Sequence, residues 1–420
     1  MLRAELKRIL KTRSTWCLAA IALLICLSSA FSTVRQVVKY IDHDGYTEIV
    51  RGIGVYEENR QRYSVIRGEV TPELFASAVE LHHELLARYG TDYDIPPELS
   101  GRVLGPYSPV FTWIFNAFSD EFGAALTSAD ISPERALNYY QERLSTLERN
   151  LKEKYEQTPQ VVEYTMSRLG RESGNFNYSY GISATSAFAN FGLCAFLVTF
   201  ICVIMAAPVF SSDYASGADD ILRCSRYGRG RLAAAKTGSA LLIGSGIFSL
   251  CLGAFLVVVY LAFGFDDITS AELLQVAFNP RGLDAMGVLG WIVLSAALSF
   301  LATCSFSLFV SSRFKSPLAA LALSAAVVLI PTVIRMFMAG GSFGRGFAAA
   351  EGNLLNWLRI CLPSGGVSLT GAMLEELTGL RFLWIGDLVT WSPYVLLAAA
   401  AAQLPVWFGL TVRTYCRHNG

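Results

Sequence analysis

The residues running from Gly230 to Lys236 and Thr237 come nearest to a phosphate-cradling loop. Such a loop needs a glycine-rich turn after a strand, followed by Lys and then Ser or Thr. Ala235 stands where the second glycine belongs, the spacing is wrong and no strand pattern precedes it, so no ATP site is assigned to this chain. His82, His83 and Glu84 offer donors suited to a metal or to proton transfer. Adjacent residues on a helix point about 100° apart and do not converge on one ion, which leaves a solvated helix flank as the expectation. No Ser, His and acid set surrounds a nucleophile elbow, and the nine cysteines include no CxxC pair. No catalytic, cofactor-binding or metal-binding residue is therefore assigned.

The elements that carry these residues are shaped by a surplus of apolar side chains. Of 420 residues 53% are hydrophobic and only 16% charged, with a mean hydropathy of +0.41, a balance that excludes a wholly soluble chain. Lys and Arg together number 34, as do Asp and Glu, so net charge implies no nucleic-acid partner. Stretches without Asp, Glu, Lys or Arg cover 14–34, 173–212, 237–265, 285–312, 316–334 and 388–412. Each is long enough to cross a hydrocarbon core of roughly 30 Å. The second is polar at its start, so its helix is placed at about 182–210. The reading is an all-α polytopic membrane protein with six spans, none of them holding the Asp, Glu, Lys or His of an ion-coupled carrier.

Basic residues are retained on the cytoplasmic side. Arg3, Lys7, Arg8, Lys11 and Arg13 precede the first span, and Arg223, Arg226, Arg229, Arg231 and Lys236 separate the second from the third. Arg313 and Lys315 separate the fourth from the fifth, and Arg413 and Arg417 follow the sixth. Both termini are accordingly expected in the cytoplasm of a plasma-membrane protein. The first apolar run is long enough for an uncleaved anchor rather than a secretory signal.

Residues 35–181 form the one large hydrophilic insertion, expected outside the cell, with acidic residues outnumbering basic ones 22 to 15 and no cysteine. No disulfide framework holds it. Thr71, Pro72 and Glu73 open a helix that stops at Gly90, and Ser132, Pro133 and Glu134 open a second, longer one through Leu137, Tyr140, Leu144, Leu147 and Leu151. The domain is expected to be mainly helical.

The informative constellation lies at the cytoplasmic end of the second span. Asp213, Tyr214 and Gly217 lead into Asp219, Asp220, Ile221, Leu222, Arg223 and Arg226. The acids open and the arginines close a short helical segment, as the helix dipole favours, which makes a compact hairpin suited to a groove on a soluble partner. At the N-terminus, Leu2, Leu6, Ile9 and Leu10 share one stripe among basic residues, the pattern of a helix lying in the membrane interface.

With these residues in place the chain resembles the membrane subunit of an ABC type-2 exporter. The shared features are an N-terminal elbow over 1–13, six spans, and an acid, a glycine four residues later, a basic turn and a Lys opening the third helix. Here those positions are Asp213, Gly217, Arg226 to Arg231 and Lys236, with Asp213 where the family usually has Glu. Pro363, Ser364, Gly365 and Gly366 look like the family's broken, re-entrant helical pair, within about 340–387. The resemblance covers the membrane two-thirds of the chain. It implies that 211–231 contains a coupling helix docked on a cytosolic ABC ATPase, two copies per complex, which binds ATP and Mg while this chain binds no cofactor. It also implies a second permease, identical or homologous, beside this one in the bilayer. A noncatalytic membrane sensor or scaffold, and an ABC-linked protein moving its external domain mechanically, are the rival readings; the mechanical relatives usually have four spans.

Overall fold

The computed structural model describes residues 1–43, 46–120, 123–156, 158–169, 174–219, 221, 229–275, 277–339, 352–369 and 372–417. Six of its helices are long and apolar enough to cross a membrane. They are the first span Arg13–Arg35, the second Ala187–Ala206 continued by Pro208–Ser216, the third Gly230–Phe263, the fourth Ala285–Arg313, the fifth Pro317–Ala339 and the sixth Ser392–Arg417. The apolar faces of the first, second, third, fourth and sixth meet in one core that includes Ala22, Phe191, Phe255, Phe300 and Leu396, and Val328 of the fifth packs on Phe196 and Val203 of the second.

Several boundaries differ from the uncharged stretches, each for a local reason. The third span begins at Gly230 rather than 237 and runs for 34 residues, about 51 Å at 1.5 Å per residue. It is longer than a hydrocarbon core requires, and Lys236 lies within it. The fifth continues past 334 to Ala339 and so includes Arg335, whose guanidinium pairs with Glu375. Lys236 and Arg335 thus lie in helices that run on beyond the uncharged stretches, each meeting a carboxylate contributed from elsewhere. Residues 388–391 are not the start of the last helix. Leu388–Trp391 pairs antiparallel with Phe382–Ile385 as a hairpin, and the helix opens at Ser392.

An N-terminal helix, Leu2–Lys11, precedes the first span and is separated from it by extended Thr12. The Trp16 indole donates to the Leu10 carbonyl at 2.7 Å and fixes the corner.

The insertion between the first two spans is mainly helical, with two short antiparallel strand pairs that its sequence did not announce: the hairpin Val38–His43 with Tyr46–Arg51, and Gly68–Val70 with the distant Phe176–Tyr178. The helix Pro72–Tyr89 has the expected limits. The next one is interrupted, as Pro133–Ala136 gives way at Leu137 and Asn138 before Tyr139–Lys154. The break leaves Leu137 exposed and turns Tyr139 inward, where its ring stacks on Phe75 at 3.8 Å. Phe75, Val110, Trp113, Ile114 and Tyr139 form a second core within the insertion. Tyr56, Leu147, Leu151, Val161 and Leu169 instead join the main core, so the insertion is keyed into the helical bundle.

His82 departs from the solvated flank expected of it. It is buried, with Nδ1 2.8 Å from the Ser128 hydroxyl and Nε2 2.6 Å from Asp92 Oδ1, while His83 Nε2 lies 3.0 Å from the Ser128 carbonyl. The pair fastens the 120–130 loop to its helix.

Candidate functional site

The second span bends where Pro208 lacks an amide hydrogen and its ring disturbs the preceding turn. Two amides just beyond it are taken up from outside the helix: Ser311 Oγ on the fourth span accepts from the Phe210 and Ser211 N–H groups at 3.0 and 3.2 Å. The Tyr214 hydroxyl donates to the Ser312 carbonyl at 3.2 Å. The extension Pro208–Ser216 is therefore strapped to the end of the fourth span. It stops at Gly217, whose φ of 68° is left-handed and closes the helix at no steric cost.

This extension delivers Asp213 to a buried position where one carboxylate oxygen contacts Lys236 Nζ on the third span and the other lies 3.3 Å from Arg8 Nη1 on the N-terminal helix. Arg8 also pairs with Glu5 at 2.9 Å. Lys236 is 0% exposed. Its ammonium stands 5.6 Å from the Phe210 ring centre and 5.9 Å from that of Tyr415 on the sixth span, a cation over aromatic faces. Leu232, Ala233 and Leu308 close the apolar shell. One carboxylate thus joins the N-terminal helix and the second and third spans, while the shell around it adds the fourth through Leu308 and the sixth through Tyr415.

Of the residues singled out for docking, Asp213 faces inward as this brace, and Tyr214 is half-buried against the fourth span and Tyr415. Asp219 is buried, and Ile221 stands out at 79% exposure. Asp220, Leu222, Arg223 and Arg226 lie outside the described residues, as does the helical segment that they were expected to form. On the N-terminal helix, Leu2 packs over Gly238 and Ile9 lines a small gap between the second, third and fourth spans. Leu6 is half-buried and Leu10 exposed. The sequence reading missed Phe210, Ser311 and Tyr415. Each looks like an ordinary span residue until the fold brings it to Lys236.

At the other end of the bundle, Gly352–Cys361 and Ala372–Thr378 form a broken helical pair around the Pro363 to Gly366 turn. The Gly366 N–H donates to Ser299 Oγ at 3.1 Å, and the Ser364 hydroxyl donates to the Val327 carbonyl at 2.8 Å. A Cβ on Gly366 would sit 2.3 Å from Ser299 Oγ and 2.4 Å from Ser295 Oγ, so only glycine allows this approach to the fourth span. Behind the turn, fully buried Glu376 accepts from Arg359 at 2.6 Å, Arg381 at 2.8 Å and the Ser392 hydroxyl at 2.5 Å. Lys154 of the insertion donates to the Gly379 and Leu380 carbonyls at 2.7 and 3.1 Å.

Among the described residues no group of three or more His, Cys, Asp or Glu is arranged to hold a metal ion. No curated protein and no solved structure matches the chain. The family model described as ABC-2 family transporter protein matches residues 14–410. With six spanning helices and nearly the whole chain within that match, the protein belongs to the ABC-2 transporter family as a multi-pass membrane permease.

Proposed function

We propose that this chain is the permease subunit of an ATP-driven exporter. Two permeases, identical or homologous, form the path in the plasma membrane, and two cytosolic ATPases holding ATP and Mg drive it. Both termini and residues 217–229 lie in the cytoplasm, the insertion 35–181 lies outside, and the N-terminal helix rests in the interface as an elbow.

The observation that carries this reading is the strapped, glycine-capped extension of the second span, which presents Ile221 beyond a buried polar base. One exposed isoleucine is unremarkable by itself. Here it sits at the end of a segment tied to four other elements, so a force applied to it reaches the spans instead of dissipating in a loose loop. Asp213, Tyr214, Gly217 and Asp219 hold the segment, and Ile221 enters the ATPase groove with Asp220, Leu222, Arg223 and Arg226 around it. Covering the isoleucine contributes roughly 1.5–3 kcal/mol.

The test is purification from native membranes by a tag on this chain. An ABC ATPase accompanies the wild type, and Ile221→Asp loses it while the permease stays folded and membrane-inserted. Recovery of the intact wild-type chain without any ATPase would remove the motor and favour a sensor or scaffold.

A further inference from the structure

The N-terminal helix Leu2–Lys11 sends its cations in two directions. Its inner side packs on the bundle, with Leu2 over Gly238 and Ile9 in the gap beside Gly244. Arg8 turns inward too, to Asp213 and Glu5. Arg3, Lys7 and Lys11 are exposed and make no ion pair or hydrogen bond among the described residues. Spaced four apart at about 100° per residue, these three fall within about 80° of one another and form a stripe along the helix. Leu6 and Leu10 run along one edge of the stripe, and Arg8 lies beyond the other. Leu10 is exposed, as is the Trp16 ring just inside the first span.

The surroundings of this stripe must suit both its charges and its apolar border. Water alone would leave Leu10 and the Trp16 ring bare. A neutral bilayer surface would cover them and leave three cations unmatched. The acidic face of a soluble protein would match the cations, but Trp16 belongs to a spanning helix, so its neighbours are lipid. A leaflet with anionic headgroups meets both demands, because acyl chains take the leucine and the indole while phosphates take the cations. We infer that Arg3, Lys7 and Lys11 form a docking stripe for anionic phospholipid headgroups of the cytoplasmic leaflet. This deepens the elbow reading above and rests on it. One basic residue near an anionic surface gains about fivefold in association, so three gain roughly a hundredfold. A ten-residue helix moves as one piece, so headgroups on its outer stripe also hold Arg8 against Asp213, and the composition of the leaflet reaches the buried brace.

The test is thermal unfolding of the purified full chain in neutral phosphatidylcholine micelles or bicelles to which phosphatidylglycerol is added. Wild type is expected to gain several degrees, and the gain should shrink with added salt. Arg3→Gln, Lys7→Gln and Lys11→Gln together should require about tenfold more phosphatidylglycerol, or worse, for half of that gain. Arg88→Gln, Arg102→Gln and Lys152→Gln, which remove three exposed cations from the insertion, should keep the wild-type response. Quenching of Trp16 by brominated phosphatidylcholine, taken as the difference between wild type and Trp16→Phe, reports separately whether the corner lies in the bilayer surface. Quenching with no effect of phosphatidylglycerol on folded wild type overturns the stripe and leaves the elbow standing, whereas absence of quenching removes the elbow and the stripe with it. The stripe is equally overturned if millimolar inorganic phosphate stabilises as well as the lipid, or if the triple variant keeps the lipid response and instead loses a co-purifying ATPase.

Discussion

Replacing Asp213 by Ala leaves Lys236 fully buried with no carboxylate beside it. Breaking a buried pair from one side costs about 3–5 kcal/mol, because the remaining charge is uncompensated. The rings of Phe210 and Tyr415 do not replace the carboxylate, since a desolvated cation over an aromatic face gains about 2 kcal/mol. Removing both charges together, as Asp213→Ala with Lys236→Met, leaves apolar groups in an apolar shell and is expected to be nearly neutral. The two single changes and the pair therefore form a cycle with a coupling of about 3 kcal/mol or more. Arg8 is different: its side chain is 44% exposed, so Arg8→Ala costs less than about 1 kcal/mol. The assay is thermal unfolding of the purified proteins in one detergent at one scan rate, with limited proteolysis to follow release of the Pro208–Ser216 extension. Asp213→Ala and Lys236→Met should each unfold several degrees lower, with the double variant close to wild type. If Asp213→Ala unfolds with the wild type, or the double variant loses the sum of the two singles, the buried brace is not there.

Gly366→Ala forces a methyl into the Ser295 and Ser299 hydroxyls and is expected to cost about 1–3 kcal/mol; Ser299→Gly in the same chain should return part of that loss in an unfolding measurement. Burial, reinforced by Asp267 and opposed by a hydrogen bond from Trp113, pushes the Glu272 carboxyl up to about 7. Because the folded state holds this proton more tightly, stability around Glu272 is full below the ordinary carboxylate range and falls as pH rises to 7, by about 3 kcal/mol at most. Hydrogen exchange of residues 264–275, corrected for the intrinsic rate, should show more opening at pH 8 than at pH 5, and Glu272→Gln should remove the difference. Tyr56→Phe deletes the hydroxyl that reaches Phe263 and should lower stability by about 1 kcal/mol, read as a lower unfolding temperature with the fold unchanged by circular dichroism.

The spans were legible because a bilayer demands long uncharged runs, and the helix at Pro72 because a polar cap and an N1 proline are local signals. The brace was not legible. Asp213 is 23 residues from Lys236 and 205 from Arg8, and a scan that stops a helix at its first charge ends the third and fifth spans early, since it has no means of seeing the partners that let Lys236 and Arg335 stay helical. The apolar run over 388–391 reads equally as strand or helix; only its pairing with 382–385 decides. His82 misled in the opposite sense, because burial by Ser128 and Asp92 follows from the return of a distant loop.

The third span is held at both ends by contacts of this hidden kind. At one end Lys236 is fixed to Asp213, and at the other the Phe263 carbonyl receives the Tyr56 hydroxyl of the insertion, with Asp266 and Asp267 clamped just beyond by Arg60 and the Ser183 N–H. A helix with 34 residues of continuous hydrogen bonding transmits axial displacement with little compression. A shift of the Pro208–Ser216 extension relative to the bundle would then be felt at the insertion some 40 Å away, taking 1.5 Å for each of about 27 residues. Coupling by this route needs both ends fastened. Tyr56→Phe combined with Arg60→Ala should therefore weaken the response of the insertion to whatever moves the extension, while leaving the Asp213 brace and its unfolding signature in place.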